Sequence, residues 1–190
     1  SWFRDWWPNF FRQFAFPATP PVAHADVSGA WRDGRRSAVF LRADAPGAVI
    51  RGVAFGQVQA RLFIRPGFYD GLEVSVTHGS GAARGTFTYT LDPETMDWRR
   101  LDLKLDSTLD PGIASKIVGP TVTAVLAPFK LSAPPVLKLQ GRFDGPAAPG
   151  GRHLSLQVQA RTTGEIRFHD FPMRDASFKV DVKDDEAGAG

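Results

Sequence analysis

The chain has no cysteine, which excludes a disulfide framework and any thiolate metal site. It has no apolar run approaching the roughly 18 residues that cross a bilayer as a helix. No basic stretch followed by an apolar one opens it, so no signal-peptide pattern is present. Like charges never form a block of about five or six. Lys and Arg number 23 against 20 Asp and Glu, a net charge of +3, and the two signs are interleaved. That balance argues against a nucleic-acid surface. The densest basic cluster, Arg32-Asp33-Gly34-Arg35-Arg36, reads as a solvated hairpin turn rather than a phosphate contact.

Catalytic and metal-binding patterns are also missing. His24, His78, His153 and His169 have none of the close spacings that zinc sites use. Gly79-Ser80-Gly81-Ala82-Ala83-Arg84-Gly85 lacks the Gly-Lys-Ser/Thr ending of a phosphate loop and reads as a turn leading into a strand. Asp92, Glu94, Asp97, Asp102, Asp106 and Asp110 lack calcium-loop spacing. Ser28, Ser80 and Ser107 have no nucleophile elbow around them. The sequence therefore predicts no enzyme, no metal and no cofactor.

What the chain does have is alternation. With 190 residues, 43% of them hydrophobic, it can bury a core. Leu154, Leu156, Val158 and Ala160 alternate with polar residues. So do Phe87, Tyr89 and Leu91, then Leu101, Leu103 and Leu105, then Phe178, Val180 and Val182. This period of two marks half-buried strands of antiparallel sheets. Turn dipeptides recur between them at Asp33-Gly34, Pro46-Gly47, Pro66-Gly67, Asp70-Gly71, His78-Gly79 and Pro149-Gly150. The pattern predicts strands near 22–32, 37–44, 48–55, 57–65, 69–78, 82–92, 98–107, 136–144, 153–162, 164–170 and 174–183. Helical spacing occurs in two places. Asp110 is a good N-cap, Pro111 suits the first helical position, and Val122, Val125, Leu126 and Phe129 continue a stripe. The aromatic opening from Trp2 to Phe14 is the other, so helix is expected only at about 2–14 and 110–128.

The segments also repeat. Pro20-Pro21 leads to Gly29-Ala30-Trp31, and Pro134-Pro135 leads to Gly141-Arg142-Phe143. Ile50-Arg51-Gly52-Val53-Ala54-Phe55 aligns without a gap with Ile166-Arg167-Phe168-His169-Asp170-Phe171. Ala60-Arg61-Leu62-Phe63-Ile64 aligns with Ala176-Ser177-Phe178-Lys179-Val180. Such a period builds length rather than one catalytic pocket. Residues 1–128 then form a first unit and 129–190 a second, partial one, within one continuous β-structure. Trp31 is expected to superpose on Phe143 and Phe55 on Phe171. A slice of a longer repetitive protein is the expected context.

The runs Leu109-Asp110-Pro111, Leu126-Ala127-Pro128-Phe129, Ala133-Pro134-Pro135-Val136 and Gly141-Arg142-Phe143 resemble the repeats of large AsmA-like proteins of Gram-negative bacteria. The stretch from Ile166 to Val180 is similar to their recurring strand pair, and Gly79 to Phe87 to the small-residue strand that often follows. The tryptophan-rich opening is unlike them. The resemblance implies a mostly β fold, an antiparallel curled sheet or groove of repeated strand units with short amphipathic helices between. It implies a periplasmic segment of an inner-membrane-anchored protein whose anchor lies outside this sequence. It implies phospholipid transport between the inner and outer membranes, with no catalytic residues. The expected partners are phospholipid acyl chains, neighbouring repeats of the same chain and envelope proteins, with no nucleic acid.

Strand parity supplies the expected groove lining independently of the resemblance: Val58, Leu62, Ile64, Phe87, Tyr89, Leu91, Leu101, Leu103, Leu105, Leu154, Leu156, Val158, Phe178 and Val180. Each lies on the apolar side of its strand. The competing reading is a self-contained β-sandwich that binds carbohydrate or protein, in which the same residues pack against a second sheet.

Overall fold

A computed structural model describes residues 12, 14–17, 19–30, 33–92, 94–95, 97–118, 129–131, 133–162, 164–168 and 171–185. The chain is mostly β. Six strands come first: β1 (Phe14–Ala15), β2 (Val22–Ala30), β3 (Asp33–Pro46), β4 (Val49–Ile50), β5 (Val53–Ala54) and β6 (Gln57–Arg65). Then come β7 (Phe68–His78), β8 (Gly81–Leu91), β9 (Trp98–Ser107) and a short helix, α1 (Pro111–Val118). The second half holds β10 (Phe129–Leu131), β11 (Val136–Asp144), β12 (His153–Arg161), β13 (Glu165–Phe168), β14 (Phe171–Arg174) and β15 (Ser177–Asp185).

The long strands make one nine-stranded sheet in the order β15-β12-β11-β9-β8-β7-β6-β3-β2. Every pairing in it is antiparallel. The sheet is open, with β2 and β15 as its edges. At about 4.8 Å between strands it extends roughly 38 Å across. The short strands form two three-stranded sheets, β1-β4-β5 and β10-β13-β14.

The two ends of the long strands are unlike. At one end the chain reverses through the connections after β2, β6, β8 and β11, and these carry no further elements. This is the hairpin end of the sheet. At the other end the chain leaves the sheet for β4–β5, for α1 and β10, and for β13–β14. The tight Gly79-Ser80 turn is the exception there. Backbone bonds close the necks of two of these excursions. Gly47 N donates to Gly56 O at 3.1 Å and Phe55 N to Ala48 O at 2.8 Å. Thr162 N donates to Ala176 O at 2.9 Å, and Ala176 N donates to Thr162 Oγ1 at 3.1 Å. The hydroxyl thus satisfies an amide that the ladder would leave open.

Several expectations needed correction. The single strand expected over 48–55 is a hairpin, because Arg51 and Gly52 both take positive φ, 48° and 78°. Such a pair forms the two-residue turn that matches strand twist, and an arginine gives no sign of it. The strand expected to begin at 174 is divided between β14 and β15. Phe14, expected at the end of a helix, pairs with Ile50 as a strand. Of the expected helix at 110–128, α1 accounts for Pro111–Val118; residues 119–128 lie outside the described residues, as do most of 1–13. Asp110 does cap α1, accepting from Gly112 N at 2.7 Å.

Phe55 and Phe171 do not share an environment. Phe55 follows the short β4–β5 hairpin and is 4% exposed. Phe171 pairs with Phe168 at the tip of the longer β13–β14 hairpin and is 74% exposed. Trp31, expected to match Phe143, lies outside the described residues.

Glycine shapes the sheet surface at Gly71 on β7. A Cβ there would fall 2.3 Å from the Phe87 ring, which lies across this position from the neighbouring strand. Gly71→Val is expected to displace that ring and lower stability by about 1–3 kcal/mol, read as a fall in thermal midpoint. An unchanged midpoint would contradict the packing described.

Candidate functional site

The register of the nine-stranded sheet decides which side chains share a face, since directly opposed residues point the same way. Four rows of apolar residues run across it. The row nearest the hairpin end is Val39, Ile64, Tyr69, Tyr89, Leu101, Phe143 and Leu154. The next is Leu41, Leu62, Gly71, Phe87, Leu103, Gly141, Leu156 and Val182. The third is Ala43, Ala60, Val74, Gly85, Leu105, Leu139, Val158 and Val180. The fourth is Ala45, Val58, Val76, Ala83, Ser107, Leu137, Ala160 and Phe178. Bulges in β6–β7, β7–β8 and β8–β9 absorb extra residues without turning a row over.

Thirteen of the expected lining residues fall in these rows, and Leu91, opposite Trp98, extends the same face. The structure therefore brings all fourteen onto one face. Ile64 is buried and the others are half-buried. Parity alone missed Val39, Leu41, Val74, Val76, Leu137, Leu139 and Phe143, while Val182, which alternates in step with Phe178 and Val180, joins the same face without having been expected to line it. For Leu137 and Leu139 the signal was present, since Lys138 separates them. For Val39 and Leu41 it was masked by Phe40, whose partner Phe63 lies on the opposite face.

Part of the apolar face is covered. Val53, Phe55, Ala83 and Leu109 form a buried cluster, against which Ile50, Val58, Val76, Leu105 and Ile113 pack. The β4–β5 hairpin and α1 thus close over the fourth row. In the second half Ala160, in the same row, is 2% exposed, and Ile166 on β13 is fully buried. A second cluster, Val39, Ile64 and Tyr69 with Leu41, Leu62, Phe87, Tyr89 and Leu91, is built from β3, β6, β7 and β8 of the main sheet.

The opposite face is polar and ion-paired. Arg142 Nε meets Asp102 Oδ1 at 2.7 Å, Arg100 Nε meets Asp144 Oδ1 at 2.7 Å, and Arg61 meets Glu73 at 3.5 Å. The Asp102 contact raises the Arg142 pKa. Asp44 accepts from Gln57 and Gln59. A small aromatic group interrupts the charge. Phe63 and Phe68 meet edge-on at 6.3 Å, with the Arg65 guanidinium 4.6 Å from the Phe68 centroid. Two shallow, open recesses of about 340 and 670 Å³ lie on this side, around Arg42, Asp44 and Gln59 and around Lys104, Gln140 and Gln157. Among the described residues no group of three or more His, Asp or Glu could hold a metal.

At the hairpin end Asp92 organises the β8–β9 loop. Its carboxylate accepts from Glu94 N at 2.9 Å and Thr95 N at 3.1 Å, and from Arg99 at 2.6 Å. Arg99 also donates to Ala147 O at 3.2 Å, tying this loop to the β11–β12 loop. The Thr95 and Glu94 amides, and then Arg99, lower the Asp92 pKa. Its contribution to stability is thus present above the ordinary carboxylate range and is lost as pH falls through the lowered value. Carboxyl-carbon NMR should show Asp92 titrating below the usual Asp range. Arg99→Gln should move it only part of the way back, because both amides remain. A full return to the ordinary value would contradict the order of causes.

No protein-family model, curated protein or solved structure matches the chain.

Proposed function

We propose that the chain is a segment of a lipid-conducting groove. Phospholipid acyl chains occupy the apolar face, and the parent protein carries them between the inner and outer membranes through the periplasm. The observation that carries this reading is the apolar face that runs across the long strands from β3 to β15, over whose fourth row the β4–β5 hairpin and α1 close. Apolar surface of that extent must be buried, and transferring hydrocarbon from water onto it gains about 0.8 kcal/mol per methylene. Among the described residues no second sheet of comparable size lies over it, which weighs against the closed sandwich that would bind carbohydrate or protein.

The same element order supports a repeat. A short strand, a Pro-Pro turn, two long strands, two short strands and a long strand run from Phe14 to Arg65 and again from Phe129 to Asp185. The strand after the second Pro-Pro, β11, pairs on its outer side with β9. The strand after the first, β2, offers its outer edge in the same way. Neighbouring repeats would continue the sheet at β2 and β15. No residue takes a catalytic role in this reading.

Native mass spectrometry of the protein purified in gentle detergent-free buffer tests it. Co-purified phospholipid is the expected result. Lipid-free protein, from cells and after incubation with phospholipid vesicles, would contradict it.

A further inference from the structure

The two open edges of the nine-stranded sheet differ in chemistry. β15 carries Lys179, Asp181, Lys183, Asp184 and Asp185, the kind of charge that keeps an edge strand from pairing at random. β2 has neither lysine nor proline, and its residues 22–29 are exposed, Val27 to 70%. A bulge at Gly29 ends its regular pairing with β3, so the free edge is residues 22–28. Eight antiparallel pairings separate the edges, so β2 and β15 run in the same direction. β15 of another copy would reach β2 parallel to it, against the pattern of the whole sheet. A strand of the β9 type would arrive antiparallel, as β9 does on β11. β2 and β11 each begin on the residue after a Pro-Pro pair, and each has nine residues.

We propose that the outer edge of β2 receives the β9-type strand of a preceding repeat, and that His24 and Asp26 fix its register. This rests on the repeat reading above. On β11, Leu137 lies opposite Ser107, Lys138 opposite Asp106, Leu139 opposite Leu105, Gln140 opposite Lys104 and Gly141 opposite Leu103. Carried to β2 by aligning the Pro-Pro pairs, this register sets Ala23, Ala25 and Val27 opposite Ser107, Leu105 and Leu103 on the apolar face. On the polar face it sets His24 opposite Asp106 and Asp26 opposite Lys104, complementary at both positions. Across β3, His24 faces Arg42 and Asp26 faces Phe40, so β3 offers neither an opposite charge. Other registers are penalised. A slip of one residue would turn the incoming leucines to the polar face. A slip of two keeps the faces but sets Asp26 opposite Asp102 or Asp106, and like charges across a ladder weaken it.

A synthetic peptide of residues 97–108 is the probe. It is added to the full chain, and backbone amide exchange is followed strand by strand. The expected result is slowed exchange over β2, with β8 and β11, the neighbours of the chain's own β9, unchanged. Asp26→Lys, a change at an exposed position, should weaken peptide binding about fivefold. A peptide carrying Lys104→Asp should regain most of that loss on the variant and bind the unmodified chain less well. Absence of slowing at β2, or slowing that ignores the charge exchange, would overturn the proposal. So would slowing over β2 that grows with protein concentration and needs no peptide, which would make a second copy the occupant. Lipid binding is read separately, so any of these failures leaves the acyl-chain groove to its own test by native mass spectrometry.

Discussion

Replacing Phe55 with alanine is expected to lower stability by about 3–5 kcal/mol, the usual cost of emptying a buried phenylalanine site. The ring is 4% exposed and is shared by Val53, Ala83 and Leu109, so three separate segments lose a common partner. It also meets the His78 ring edge-on at 6.0 Å, and His78 Nδ1 lies 2.6 Å from Ala54 O. The hairpin, α1 and the main sheet would loosen together. Phe171→Ala, which the sequence alignment places at the same position, should change stability by no more than about 0.5 kcal/mol, as exposed substitutions do. Urea unfolding of both variants decides the matter. Similar losses in the two would contradict the assignment of one ring to a core and the other to a surface.

The second large effect concerns lipid rather than stability. Leu103→Asp and Val158→Asp lie in the middle rows, away from the buried cluster under β4–β5 and α1. In an open groove the new carboxylate can stay hydrated, so folding should remain cooperative. Bound phospholipid should fall at least about tenfold. Losing contact with two methylenes at about 0.8 kcal/mol each already exceeds the 1.4 kcal/mol of one decade. In a closed core the same charge would be stranded and the domain would unfold. Loss of cooperative unfolding in both variants, with no lipid on the parent protein, would favour the sandwich.

The nine long strands were legible because alternation with period two is a direct imprint of a half-buried pleat. Leu101-Asp102-Leu103-Lys104-Leu105 and Leu154-Ser155-Leu156-Gln157-Val158 needed no other information. What escaped was the layer that folds over the sheet. Strands of two to four residues, such as β1, β4, β5 and β10, are too short to show a period. Their existence depends on partners far away in the chain, as when Phe129 to Leu131 pair with Phe168 to Ile166. The turn at Arg51 was hidden because positive φ is written reliably only by glycine or asparagine. The gapless match of Phe55 with Phe171 misled for a related reason. Two residues can keep their sequence distance from Ile50 and Ile166 while hairpins of different length carry them to different depths.

The site was legible as a face but not in how it is covered. Parity placed all fourteen expected residues on one side of the sheet. It could not distinguish Val58 and Leu105, which pack against the cluster closed by the β4–β5 hairpin and α1, from Leu103 and Leu156 in the second row. That distinction comes from the cluster around Leu109 and Ile113, which no local pattern encodes.

The most direct test of the central claim is residue-by-residue photo-crosslinking along β9 in cells. A photoreactive phenylalanine analogue is placed in turn at Leu101, Asp102, Leu103, Lys104, Leu105 and Asp106, and phospholipid adducts are detected by mass spectrometry. An apolar groove predicts adducts at Leu101 and Leu103, fewer at Leu105, which packs against the buried cluster, and none at Asp102, Lys104 and Asp106. Adducts at neither set, or equally at both, would contradict it.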